Sequence, residues 1–490
     1  MGADHMTTQI TTTSKILLCV VLSAISLPGR PAVGQLFRPR PTEEDPSAMG
    51  QLFRPRGMDD SPAIQAAVDA YNRAVDLTNQ GQLDQAMPFY NRAIQLNPRF
   101  AQAYCDRGLA RAMQSQFDAA LADLDTAIRL DPEDAGAYLN RGFANYGKGN
   151  LERAAADYGA SIKLDANNAD VFRKRGHVLL MQGKLEEALL DLTAAIRLEP
   201  QEASAYTNRG IVYSRQGEYE KAMADLNHSL RLNPKDAEAW SNRGYVRTMT
   251  GKFEGALSDT NYAVKLNPQD PLAYFSRGFA YLAGGELDKA VADFDKTIEL
   301  DAEYSQAYRE RGYVRVAQSD FDKAIADLNT AIRLDPEDAS AYGNRGIAQM
   351  RKGNVDKAIE DYNESLRLDA SNAETWCNRG YARTAKGNFE GALSDLDYAI
   401  QLSPDDAASH FSRGYAYSHK GDLDKAIADF SEAIRLDPEY ASVYKNRGLA
   451  YYRKGEHDKA IADLEKALKL DPNDSEAKEA KSLAENSKPK

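Results

Sequence analysis

Cysteine, histidine and tryptophan are scarce in this chain, at three, six and two in 490 residues, and each scarcity removes a class of function. No Cys-x-x-Cys pair or closely spaced His and Cys set exists from which a zinc or redox site could be built. His177, His228, His410, His419 and His457 stand singly, and His410 merely occupies a place that comparable segments give to an aromatic ring. No metal and no cofactor is expected. Gly-rich phosphate loops and nucleophile elbows are missing too, so no catalytic residue can be assigned and no enzyme is expected. Excess positive charge is also lacking: the formal net charge is -12, which offers no field to phosphates or anionic lipid and argues against nucleic acid as a partner. The apolar run Ile16 to Leu27 is too short to cross a bilayer.

What is present points to a folded chain. Hydrophobic residues make up 43% and charged residues 27%, a balance normal for folded proteins. At 490 residues the chain exceeds what one core can serve, so it must be several domains or a repeat array. Residues 1–34 have the layout of a signal peptide: Lys15, the apolar run, the breakers Pro28, Gly29 and Pro31, then Ala32 and Gly34. Asp4 fits that layout poorly, and Met6 is an alternative start. An uncleaved anchor and a cytoplasmic leader are the competing readings. Export to a bacterial periplasm follows from the first, membrane attachment from the second and a cytoplasmic location from the third. Residues 35–62 are rich in Pro, Arg, Asp and Glu and read as a disordered linker. Within it Gln-Leu-Phe-Arg-Pro-Arg occurs twice, at Gln35 to Arg40 and Gln51 to Arg56. It is either a docking peptide or a tandem duplication without function.

The decisive pattern begins further on. Asn-Arg-Gly starts at Asn140, Asn208, Asn242, Asn344, Asn378 and Asn446, with every gap a multiple of 34. Aligning on it divides residues 63–474 into twelve helix-turn-helix units. In each, an aromatic such as Tyr104, Tyr206 or Trp240 precedes a glycine (Gly108, Gly210, Gly244) by one helical turn. A second glycine, as at Gly149 or Gly217, ends the first helix. An alanine (Ala86, Ala120, Ala154 through Ala460) marks the tight point of the second, and a proline such as Pro98 or Pro472 closes the unit. Ser115 and Ser319 replace the second glycine, and Ala166, Ala302 and Ala370 the proline. Residues 475–490 read as a capping helix and tail. Cys105 and Cys377 occupy equivalent places eight units apart, too far for a disulfide, so both are expected as free packed thiols. Cys19 lies in the segment read as removed.

These residues resemble the tetratricopeptide repeat. The resemblance implies an all-α, right-handed superhelical solenoid whose first helices line a concave groove. Where family members usually have an apolar residue before the first glycine, all twelve units here carry arginine, from Arg73 to Arg447. Eleven carry aspartate in the second helix, from Asp123 to Asp463, and Phe89 breaks the set. A buried arginine is costly unless paired, so each Arg is expected to meet an Asp of its own or the next unit.

In family terms the residue before that arginine faces the groove, which places Asn140, Asn208, Asn242, Asn344, Asn378 and Asn446 there. The arrangement resembles the asparagine ladder in the repeat domain of O-linked N-acetylglucosamine transferase, where amides can hold a peptide backbone. The alternative is that they bridge neighbouring helices. Tyr245, Phe279, Tyr313, Tyr381 and Tyr415, with Phe275 and Phe411 beside them, occupy the same face and are candidates for side-chain pockets or for packing between helices. The chaperone-tail class needs a lysine, asparagine and arginine set that is not matched around Asn208 or Asn344, where Arg173, His177 and Glu238, or Arg309, Tyr313 and Glu374, stand instead. Phe253 to Asp259 recurs as Phe389 to Asp395, a four-unit offset that would repeat the groove chemistry. A scaffold holding a protein or extended peptide is the expected function. The alternative is a structural assembly factor of an envelope secretion or polysaccharide machine.

Overall fold

The computed structural model describes residues 62–487. The expected signal peptide at 1–34, the duplicated Gln-Leu-Phe-Arg-Pro-Arg, the linker up to residue 61 and the last three residues of the tail lie outside them. Among the described residues there are 25 helices and no strand. Two compact units divide at residues 268 and 269. The first holds six hairpins, from Pro62–Asn79 with Leu83–Leu96 to Ala237–Met249 with Phe253–Leu266. The second holds six more, from Pro271–Ala283 with Leu287–Leu300 to Ala441–Arg453 with His457–Leu470, and then the helix Ser475–Asn486.

One hairpin shows why the sequence folds this way. In Ala203–Arg215 with Tyr219–Leu232, Gly210 faces Leu226, and a Cβ on the glycine would lie 2.9 Å from the leucine Cγ. The missing methyl is therefore what lets Leu226 lie fully buried against the first helix. Ala222 is likewise wholly buried where the helices come closest. The connection turns at Gly217, with φ +75°. At this point of all twelve units the backbone is left-handed, and Ser115 and Ser319 adopt φ of 61° and 62° without the freedom of glycine. First helices start on side-chain caps, as where Asp236 accepts from the Glu238 and Ala239 amides. Where Phe100, Tyr304 or Tyr440 takes the cap position no such bond forms, and the ring packs instead on Tyr71, Phe275 or Phe411. Cys105 and Cys377 are free and buried.

The arginine rule has a definite geometry. From Arg107 to Arg447, eleven arginines each make a two-pronged bond to the aspartate sixteen residues on, always in the same hairpin. Arg243 Nε and Nη2, for instance, lie 2.8 Å from the two carboxylate oxygens of Asp259. In most of them the remaining Nη1 reaches back sixteen residues to the second helix of the preceding hairpin, as from Arg107 to Asn91, Arg243 to Asn227 and Arg379 to Asn363, whereas Arg175 meets Gly159 there. Each such guanidinium ties three helices together. In the first hairpin Arg73 is exposed and Phe89 is 38% exposed, so that tie is absent there.

Candidate functional site

In the first unit a row of polar side chains runs from one first helix to the next. Tyr71 Oη donates to Asp106 at 2.6 Å and Gln102 donates to its other oxygen at 3.2 Å. Burial pushes the Asp106 carboxyl up to about 6 in spite of these donors, and Asp134 adds to the effect. Asn140 donates to the Cys105 sulfur at 3.3 Å. His177 lies between the Tyr146 hydroxyl at 3.3 Å and Asn208 Oδ1 at 3.4 Å. Burial, with Arg173 and Arg215 nearby, brings this imidazole down to about 4, so it is neutral at physiological pH. Arg173 and Lys174 both bond Asp170. Asn242 turns back on the Glu238 carbonyl of its own helix, and Tyr245 is buried.

In the second unit Phe275 and Phe279 are buried, and the Phe275 ring lies 5.1 Å from Tyr304. Arg309, only 3% exposed, is enclosed by Glu310 at 2.8 Å and Asp338 at 2.9 Å. Tyr313 is half-buried. The Asn344 side chain makes no hydrogen bond among the described residues and is half-buried. Asn378 bonds Glu374, one turn back, and Asn446 bonds the Ser442 carbonyl at 2.8 Å. Tyr381 is 37% exposed and lies 5.6 Å from Tyr415, which in turn neighbours Phe411 at 6.2 Å. Burial and then the nearby Asp406 raise the Glu374 carboxyl to about 7.

Six asparagines that share one register therefore have different company. Asn140 and Asn208 bridge to a neighbouring hairpin, Asn242, Asn378 and Asn446 bond within their own helix, and Asn344 keeps its amide available. The aromatics divide by exposure. Tyr245, Phe275 and Phe279 are packed, whereas Tyr381, Phe411 and Tyr415 form a continuous, partly open strip across two first helices. Asp106 and Glu310 occupy the asparagine register yet escape a reading based on what the units share, as does Glu374, and only their departure from the common residue could have flagged them. Among the described residues no group of His, Cys, Asp and Glu is placed to hold a metal ion, and no helix is long and apolar enough to cross a membrane.

The hairpins, their 34-residue period and their glycine and alanine contacts define an all-α repeat protein of solenoid type. Family models described as tetratricopeptide repeat match residues 250–305, 309–373, 203–236 and 441–474, and one described as TPR repeat matches 76–115, 113–149, 146–183, 180–217, 380–421 and 418–455. The chain belongs to the tetratricopeptide repeat family. Its fold is similar to a chain of the hetero-tetramer Cut9–Hcn1 of the APC/C, with a TM-score of 0.61 at 18% identity, covering 85% of this chain and 90% of that one. Matches also include the TPR protein YrrB, described as having an unusual peptide-binding site, at 27% identity and a TM-score of 0.32 over 39% of this chain and 98% of that one. Yeast Tom70 matches at 20% identity and 0.37 over 86% and 96%. No curated protein sequence matches the chain.

Proposed function

We propose that this protein is an interaction scaffold that holds an extended polypeptide against the groove-facing side of its first helices. The observation that carries the reading is the strip in the second unit, where the open ring of Tyr381 has Tyr415 beside it and Phe411 beyond, and where the first helix of the preceding hairpin carries the uncommitted amide of Asn344. Rings there can receive apolar side chains, and the amide can pair with a peptide backbone. Export to the periplasm is part of the proposal, and it requires a mature chain that begins near Gln35, which the mass of the protein purified from its native cell would reveal. For the groove, co-purification from that cell is compared between wild type and a chain carrying Asn344→Ala with Tyr381→Ala. Loss of a specific partner band with helix content unchanged is expected. Undiminished recovery of the same partner would remove the groove from the function.

A further inference from the structure

We propose that the second unit's groove is a receptor for the duplicated segment Gln-Leu-Phe-Arg-Pro-Arg, residues 35–40 and 51–56, of a second copy of this chain. The inference rests on the groove reading above and gives it an occupant. On helix Ala373–Ala385, Glu374, Asn378 and Tyr381 stand at spacings of four and three residues and so share one face. Other groove-register charges of this unit are matched: Glu310 and Asp338 by Arg309, and Asp474 and Glu476 by Lys445. Glu374 is the exception. No cation pairs with it among the described residues, its polar support is the Asn378 amide, and the charge that acts on it is that of Asp406, of the same sign. Asp406 is itself occupied, capping the next first helix through the Ala408 and Ser409 amides. The groove thus offers a carboxyl without a cation at one end and a partly open aromatic strip at the other.

The duplicated segment carries the complementary groups in matching order. Phe37 and Arg40 in one copy, and Phe53 and Arg56 in the other, are three residues apart with a proline between them. A polyproline II backbone, which such a proline favours, brings residues three apart to the same side at a separation of about 9 Å. Glu374 and Tyr381 are seven residues apart on one helix, about 10 Å along its axis. Phenylalanine can therefore pack on Tyr381 and Tyr415 while the arginine reaches Glu374 and supplies the missing charge. The arm of a second copy is the occupant because Arg56 is joined to the first helix at Pro62 by a tether of about 20 Å at most, and nine repeat units intervene in sequence before Glu374.

Sedimentation velocity of the full chain over a range of concentrations tests the inference. Wild type is expected to self-associate. A groove variant, Glu374→Gln with Tyr381→Ala, and an arm variant with Phe37, Arg40, Phe53 and Arg56 all changed to alanine should each associate at least about tenfold more weakly. Mixing the two variants should restore association, since one supplies an intact arm and the other an intact groove. Circular dichroism shows whether each variant keeps its helices, and Glu374→Gln alone serves if the double change does not fold. A wild type that stays monomeric, whether because its own arm or another protein fills the groove, overturns the inference, and so does self-association indifferent to the arm. If the groove variant loses its native partner while self-association is untouched, the groove reading stands and this inference falls.

Discussion

Asp259 is 2% exposed and receives two arginines, Arg243 and Arg247. Removing a carboxylate from such a site leaves buried positive charge without its partner. Asp259→Ala should therefore cost about 3 kcal/mol, and more than replacement of the acid and both arginines together by apolar residues, as read from urea midpoints. Two of the perturbed groups give opposite pH signatures. Glu374 is held up near 7 in the folded chain, so between its ordinary range near 4.5 and 7 the folded state binds the extra proton and stability falls as pH rises. His177 is held down near 4, so between 6.5 and 4 the unfolded state binds the extra proton and stability falls as pH drops. Glu374→Gln should accordingly gain stability over wild type at pH 8 but not at pH 4.5, and His177→Gln should flatten the acid limb of the first unit. Equal pH slopes in variant and wild type would contradict the assignment.

At the scale of the element, the left-handed joint is the most uniform feature and the easiest to perturb. Ser115→Gly and Ser319→Gly should each stabilise by about 1 kcal/mol because the serine Cβ resists positive φ. Gly244→Ala should destabilise by about 1 to 3 kcal/mol, since its Cβ would lie 2.4 Å from Thr260 Cγ2 and 3.2 Å from the Ala256 carbonyl. Thermal denaturation distinguishes these signs. Hairpins, joints and tight contacts were all legible in the sequence because each depends on one residue type recurring every 34 positions. The Arg–Asp pairing was legible for the same reason, although only the structure shows that both partners belong to one hairpin. The backward reach of the guanidinium was not legible, because its acceptor is Asn91, Asp125, Thr193 or Ser431 in different hairpins, and any small polar group serves. The asparagine register was visible, but its bonding was not: Asn208 turns to His177 and Asn140 to Cys105, neighbours that vary from unit to unit.

For the molecule as a whole, stability is a sum of hairpins and the seams between them, so its ends are its weak points. The helix Ser475–Asn486 covers Leu464 and Ala467 with Ala477 and Ala480, and a chain ending at residue 474 should lose amide exchange protection first in the hairpin 441–470 while hairpins further back keep theirs. Equal loss along the second unit would show that the end helix does more than close the stack. A different consequence follows from the three-way arginine. Eleven hairpins bring their own acid and most also leave an acceptor for the guanidinium that comes after, so such a cassette can be excised without orphaning either bond. Deleting residues 203–236 would present Arg243 with Thr193 in place of Asn227 and leave its hold on Asp259 intact. The chain can then be shortened or lengthened in steps of 34 residues with these bonds kept, whereas a cut one residue longer or shorter would set every later side chain against the wrong neighbour.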